Sequence, residues 1–239
     1  MQLKQTARTE IPAVIGFLLI MSFVVIRAAP TNSTVLFEET FTEKQNPDGT
    51  PSGWKLKVWS GSNPIIDLEP EHEKTVLHLI SVNNSFGLYK EFKFDVREYP
   101  ILRWRWKATL LPKGGDVRRK ETDDQAAQIY VPFPRFPALF NTRLVGYIWE
   151  NETPKGLIVT SQKSSNTRYI VLESGIEQLD QWVEEERNIY EDYKTLFGEE
   201  PPLAGGITLM IDSDDTRSRA ESFFDDIRIE KAKTAETKL

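Results

Sequence analysis

"LRWRWKA", residues 102–108, puts Leu102, Trp104 and Trp106 on one parity and Arg103, Arg105 and Lys107 on the other. A β-strand sends successive side chains to opposite faces, so this run reads as a strand with one apolar and one cationic face. The tryptophans share their face with aliphatic Leu102 and are expected to pack between two sheets. The arginines then look outward, onto whatever the sheet holds.

Short β-rich runs recur on both sides of it. They are "TVLFEETF" (34–41), "KLKVWS" (55–60), "TVLHLIS" (75–81), "FGLYKEFKF" (86–94), "PILRWRWKATL" (100–110) and "QAAQIYVPF" (125–133). "LVGYIWE" (144–150), "LIVTS" (157–161), "RYIVLES" (168–174), "ITLMIDS" (207–213) and "FFDDIRIE" (223–230) follow. Eleven short runs separated by Pro, Gly and Asn predict an all-β, antiparallel β-sandwich of jelly-roll type. No linker divides it, so one domain is expected over residues 34–230, with a flexible polar tail at 231–239.

One segment has helical period. In "QWVEEERNIYEDYKTLFGEEPP", Trp182, Ile189, Tyr193 and Leu196 share a stripe, which predicts one helix near residues 181–197. Asp180 is a candidate cap at its start, and Gly198 with Pro201 would end it. Such a helix would plug one end of the sandwich or meet a partner in envelope assembly.

The N-terminus bounds the compartment. Lys4 and Arg8 precede the apolar run Ala13–Ile26, and small residues follow it. Those fourteen residues reach roughly 21 Å as a helix, short of a hydrocarbon core of about 30 Å. The pattern predicts a signal peptide over residues 1–28, cleaved after Ala28. Arg27 keeps open an uncleaved anchor over residues 11–26. Either way, the remainder is expected to be exported, periplasmic or extracellular.

Cleavage would remove Lys4, Arg8, Arg27 and Glu10 and take the formal charge from −6 to −8. An acidic exported domain is a poor polyanion binder, which argues against nucleic acid. With no cysteine, disulfides and thiolate metal sites are excluded.

The set "RWRWK", "ETDDQAAQIYVPF", "GYIWEN", "RYIVLESG", "WVEEERNIYEDYKTLFGEEPP" and "ITLMIDSDDT…AESFFDDIRI" resembles domain-of-unknown-function family 3047. The resemblance runs from about Phe37 to Ile229, implies a bacterial exported β-sandwich, and supplies no catalytic residues. More distantly, "FEETF" and "FFDDIRI" resemble the terminal strands of jelly-roll carbohydrate-binding modules. In those modules a structural calcium commonly links the first and last strands. The resemblance therefore implies Glu39 and Asp226 as candidate calcium ligands, and no other cofactor.

Parity locates a candidate site. Ile129, Val131 and Phe133 are expected inside, with Gln128 and Tyr130 opposite. Leu144 and Ile148 are expected to oppose Tyr147 and Trp149, Ile170 and Leu172 to oppose Tyr169 and Glu173, and Ile207, Leu209 and Ile211 to oppose Met210 and Asp212. If these strands are neighbours, Arg103, Arg105, Gln128, Tyr130, Tyr147, Trp149, Glu173 and Asp212 form one polar-aromatic surface. Aromatic rings stack on sugar faces and polar side chains bond hydroxyls, so a glycan or small envelope ligand would suit it. The alternative is a solvated sheet face laced with cross-strand ion pairs. "PFPRFPALFNTR" (132–143) would form a proline-stiffened lip over the surface or a packed satellite cluster.

Catalysis finds little support. Only His72 and His78 are present, and no H-E-x-x-H or G-x-S-x-G motif occurs. Glu173 and Asp212 are the candidate carboxylates for a polysaccharide hydrolase if their strands adjoin. The reading that results is a non-catalytic exported binding sandwich, with hydrolase and assembly protein as alternatives.

Overall fold

A computed structural model of the chain describes residues 34–233. The predicted signal peptide, the alternative anchor at 11–26 and most of the tail lie outside the described residues. Thirteen strands build two sheets packed face to face. The six-stranded sheet holds β1 (Val35–Glu39), β3 (Ile65–Glu71), β4 (Lys74–Val82), β6 (Ile101–Leu110), β11 (Val183–Asn188) and β13 (Arg219–Glu230). Its order is β11-β6-β13-β4-β3, with β1 also pairing β13.

The seven-stranded sheet holds β2 (Lys55–Ser60), β5 (Ser85–Phe94), β7 (Ala127–Phe133), β8 (Arg143–Glu150), β9 (Ile158–Thr160), β10 (Thr167–Ser174) and β12 (Ala204–Asp212), in the order β2-β5-β12-β7-β8-β10-β9. All pairings but β8 with β10 are antiparallel. The expected sandwich is present, with that one parallel pair added.

The core lies between the sheets and is built by alternation. Leu77, Leu79, Trp104, Trp106 and Phe224 face Phe86, Leu88, Ile129, Val131 and Leu209 in one buried cluster. Trp104 and Trp106 meet edge to face at 5.4 Å, and burying each ring contributes on the order of 4–6 kcal/mol of transfer free energy.

Strand β8 departs from the expected parity. Tyr147 and Trp149 point inward, at 5.4 Å from Trp104 and 6.0 Å from Trp106 respectively. Ile148 points outward, but into a second buried cluster with Val117, Tyr130 and Val171. Both faces of β8 are covered, so its sequence carries no polar side to orient it.

The helical segment is also corrected. Val183–Asn188 zips onto β6 as an edge strand, and only Ile189–Phe197 of this segment is helical, here α2, after the one-turn α1 (Ala138–Asn141) between β7 and β8. Asn188 rather than Asp180 caps it, its side chain accepting from Glu191 N, and Gly198 ends it at φ 69°. Asp180 sits at φ 61°, left-handed and unable to cap. The inner stripe is as expected: Ile189, Tyr193 and Leu196 are buried. Trp182 lies instead on the outer face of the six-stranded sheet, under Arg105 and Lys107.

Candidate ligand cleft

The outer face of the seven-stranded sheet carries a cleft of about 740 Å³. It crosses the strands, with Trp59 on β2, Tyr89 on β5, Met210 on β12, Tyr130 on β7, Leu144 on β8 and Tyr169 on β10 among its lining residues. At about 4.8 Å per strand, β2 to β10 spans roughly 24 Å.

Two glycines let aromatic rings lie along the floor. A Cβ on Gly146 would sit 2.8 Å from the Tyr169 ring and 2.9 Å from the Tyr130 ring. Those two rings meet at 6.1 Å. A Cβ on Gly87 would sit 2.6 Å from the Leu209 carbonyl and 3.1 Å from the Trp59 ring. Trp59 itself is 46% exposed, with the Lys57 ammonium 5.1 Å over its ring.

One end of the cleft is polar. Tyr130 Oη donates to Gln128 Oε1, and Gln128 Nε2 donates to Asp212 Oδ1 at 2.8 Å. Gln125 N also donates to Asp212 Oδ1, at 2.7 Å. The Gln125 side-chain amide bridges Asp123 Oδ1 at 3.1 Å and buried Glu150 Oε1 at 3.2 Å. Burial pushes the Asp123 carboxyl up to about 6 and Glu150 up to about 7. Burial, then the neighbouring Asp124 charge, pushes Asp212 well above the usual carboxylate range. Lys163 is the nearby cation and is paired with Asp215. Oxygens of Asp124, Asp212 and Asp214 lie within 4.8 Å of one another, which gives three of the six to eight oxygens a calcium ion takes.

The structure gathers Gln128, Tyr130 and Asp212 of the expected site, and separates the rest. Arg103 and Arg105 stand on the outer face of the opposite sheet, since β6 belongs to the six-stranded one. Arg103 bonds Glu230 at 2.7 Å, while Arg105 pairs with Asp225 and Asp226 where a bulge in β13 turns both carboxylates towards it. Tyr147 and Trp149 are core, Tyr147 Oη donating to Asp192 at 2.8 Å. Glu173 sits at the lateral edge, bonded to Lys155 at 2.6 Å and beside Glu185, which burial and the Glu173 charge push up to about 7. Asp212 lines the cleft and Glu173 does not, so the structure does not bring the two candidate carboxylates to one site.

Glu39 and Asp226 do not fit a calcium ion. Glu39 accepts from Phe41 N, Trp54 Nε1 and Lys90, and Asp226 from Lys74 at 2.6 Å, so each is already neutralised by its own cation. Trp59, Asp123, Lys163 and Tyr169 were missing from the expected site. Lys57 and Trp59 do share a parity in "KLKVWS", and Tyr169 was placed on the right face, but only sheet order shows that they converge.

The lip is neither expected alternative in full. Phe133 is core, whereas Phe136 is 97% and Phe140 71% exposed, on a turn and the one-turn helix after it, neither of which lines the cleft.

A family model described as "Protein of unknown function (DUF3047)" matches residues 52–228. No curated relative matches. Among solved structures, the chain is similar to the family 11 carbohydrate-binding module of cellulosomal cellulase Lic26A-Cel5E of Clostridium thermocellum, at 9% identity and TM-score 0.43, covering 81% of this chain and 97% of that one. It is similar to the family 30 carbohydrate-binding module of cellulosomal cellulase CEL9D-CEL44B of Clostridium thermocellum, at 12% and 0.43, covering 84% and 99%. It is also similar to the family 11 xylanase from Neocallimastix patriciarum, at 10% and 0.39, covering 82% and 99%.

Proposed function

The chain belongs to the DUF3047 family, and we propose that this member binds a segment of a glycan chain in the cleft of its seven-stranded sheet, outside the cytoplasm and without chemistry. The observation that carries this reading is the ring lining of a cleft that crosses several strands: Trp59, 46% exposed, and half-buried Tyr89 stand open in it, above the buried Tyr130 and Tyr169 rings. Flat aromatic faces suit the apolar faces of sugar rings. Lys163, Ser164 and Thr208 line the same cleft with groups that bond hydroxyls. A cleft running across strands suits an extended polymer rather than a single small molecule.

Calorimetric titration against a panel of cell-envelope glycan oligomers tests it. Binding is expected, weakened about 3–10-fold by Trp59→Ala through lost stacking. No binding to any oligomer would overturn the reading.

A hydrolase on the same cleft has one observation in its favour: Asp123, held near 6, could act as an acid. Against it, the inner oxygens of both Asp123 and Asp212 are committed to Gln125. Turnover that Asp123→Asn abolishes would establish the hydrolase.

A further inference from the structure

The lip between β7 and β8 holds two phenylalanines out of the protein. Phe136 is 97% exposed and Phe140 71%, yet the backbone that carries them is pinned. Asn141 Nδ2 donates to the Phe136 carbonyl at 3.1 Å, Asn166 Nδ2 to the Phe140 carbonyl at 2.8 Å, and Thr142 Oγ1 to the Ala138 carbonyl at 2.7 Å. Arg135 is the one charged residue of residues 134–142, and Glu199 holds it at 3.0 Å. The protruding part of the lip therefore carries large apolar rings and no unpaired charge. Leu203, half-exposed, stands nearby, since Gly205 packs against Pro134.

Register shows which end of the sandwich this is. Ala204 pairs with Phe94, and the Tyr193 ring of α2 packs tilted against Phe133 at 4.5 Å. Ile189, at the start of α2, bonds the Pro100 carbonyl at 2.7 Å. Ile101 pairs with Glu230, Glu230 with Val35, and Lys231 N donates to the Thr34 carbonyl. The chain thus enters the domain at the end that bears the lip. Seven residues, 27–33, separate that entry from the apolar run Ala13–Ile26, and extended they reach roughly 25 Å.

We propose that this end of the sandwich docks on a lipid bilayer, with the Phe136 and Phe140 rings entering the interface beside the point where the chain arrives from its apolar run. Two modest membrane contacts on one end combine into stable attachment where either alone is marginal. Where the run is retained as an anchor, it and the lip act from the same end of the domain; where it is cleaved after Ala28, the two rings are the contact that remains. The proposal is independent of what the cleft binds.

The test uses the absence of cysteine, which makes a single introduced thiol unique. Phe136→Cys, and Val82→Cys on an exposed site at the opposite end, would each carry a nitroxide label. The purified protein is mixed with vesicles of phosphatidylcholine and phosphatidylglycerol. Relaxation by lipid-soluble oxygen is compared with relaxation by an aqueous nickel chelate. Position 136 is expected to turn oxygen-dominated with vesicles while position 82 stays aqueous. The double change Phe136→Ser and Phe140→Ser is expected to cut vesicle co-sedimentation several-fold. Equal aqueous access at both positions would overturn the proposal. So would protection of position 136 without vesicles, which would assign the lip to residues 13–26 or, with a dimeric mass, to a second copy.

Discussion

The two outer faces of this sandwich are made from the same kind of alternating strand and end in opposite states. On the six-stranded sheet, Lys107 bonds Glu71 at 2.9 Å, Lys74 bonds Asp226, and His78 lies between Glu69 and Glu221 at 2.6 and 2.8 Å. Arg105 and Lys107 cover the Trp182 ring, and His78 stacks on Phe223 at 4.1 Å. Although burial opposes it, bonds from Lys107 and Trp182 hold Glu71 below the usual range. On the seven-stranded sheet, Asp123 and Asp212 have no salt-bridge partner among the described residues, their carboxyls are pushed up, and Trp59 lies open. The six-stranded face pairs most of its charges internally, Asp225 being the one whose carboxyl burial pushes up despite Arg105. The face that buries carboxyls with no ion-pair partner beside an open Trp59 is the one shaped for a ligand.

Trp106→Ala breaks both faces at once, because they stand on one core. It is expected to cost about 3–5 kcal/mol in chemical denaturation. A cost under about 1 kcal/mol would mean that the faces do not share that support.

The next effect is on pH. Burial lifts the folded Asp123, Glu150 and Glu185 above their unfolded values, so the native state keeps protons that the unfolded chain releases. Stability is then full below the unfolded values and is lost as pH rises through about 6 to 7. Fully buried Glu150 alone accounts for on the order of 2–3 kcal/mol. Melting temperature should fall between about pH 5 and pH 8, and Glu150→Gln should flatten that fall. A profile rising with pH would contradict the uncompensated state of these carboxyls.

Smaller effects sharpen the ion-paired face. Arg105→Ala leaves Asp225, whose side chain is wholly buried, without its main partner and should cost about 1–3 kcal/mol. Arg103→Ala, removing a pair exposed at 36% on the arginine side, should cost under about 1 kcal/mol. Neither is expected to change glycan affinity by calorimetry. Lost binding in either would move the ligand to the six-stranded face.

Much of this was legible in the chain. Alternation in "LRWRWKA" put both tryptophans inside, and the parities of β7, β10 and β12 match their buried sides. The failures have physical causes. In β8 both faces are covered, so no polar side marked the outside. "VEEERN" contains good helix formers, but pairing with β6 satisfies its backbone along a strand.

What the sequence by itself determined is which side of each strand is apolar, because pleating has a period of two and every strand carries that record locally. Which sheet a strand joins is set by contacts between residues far apart in the chain. Only the tertiary structure placed β6 opposite β7 and β12, sent Arg103 and Arg105 to one outer face, and gathered Tyr130, Tyr169 and Asp212 on the other. Parity is fixed by neighbouring residues, whereas the site is fixed by strand order.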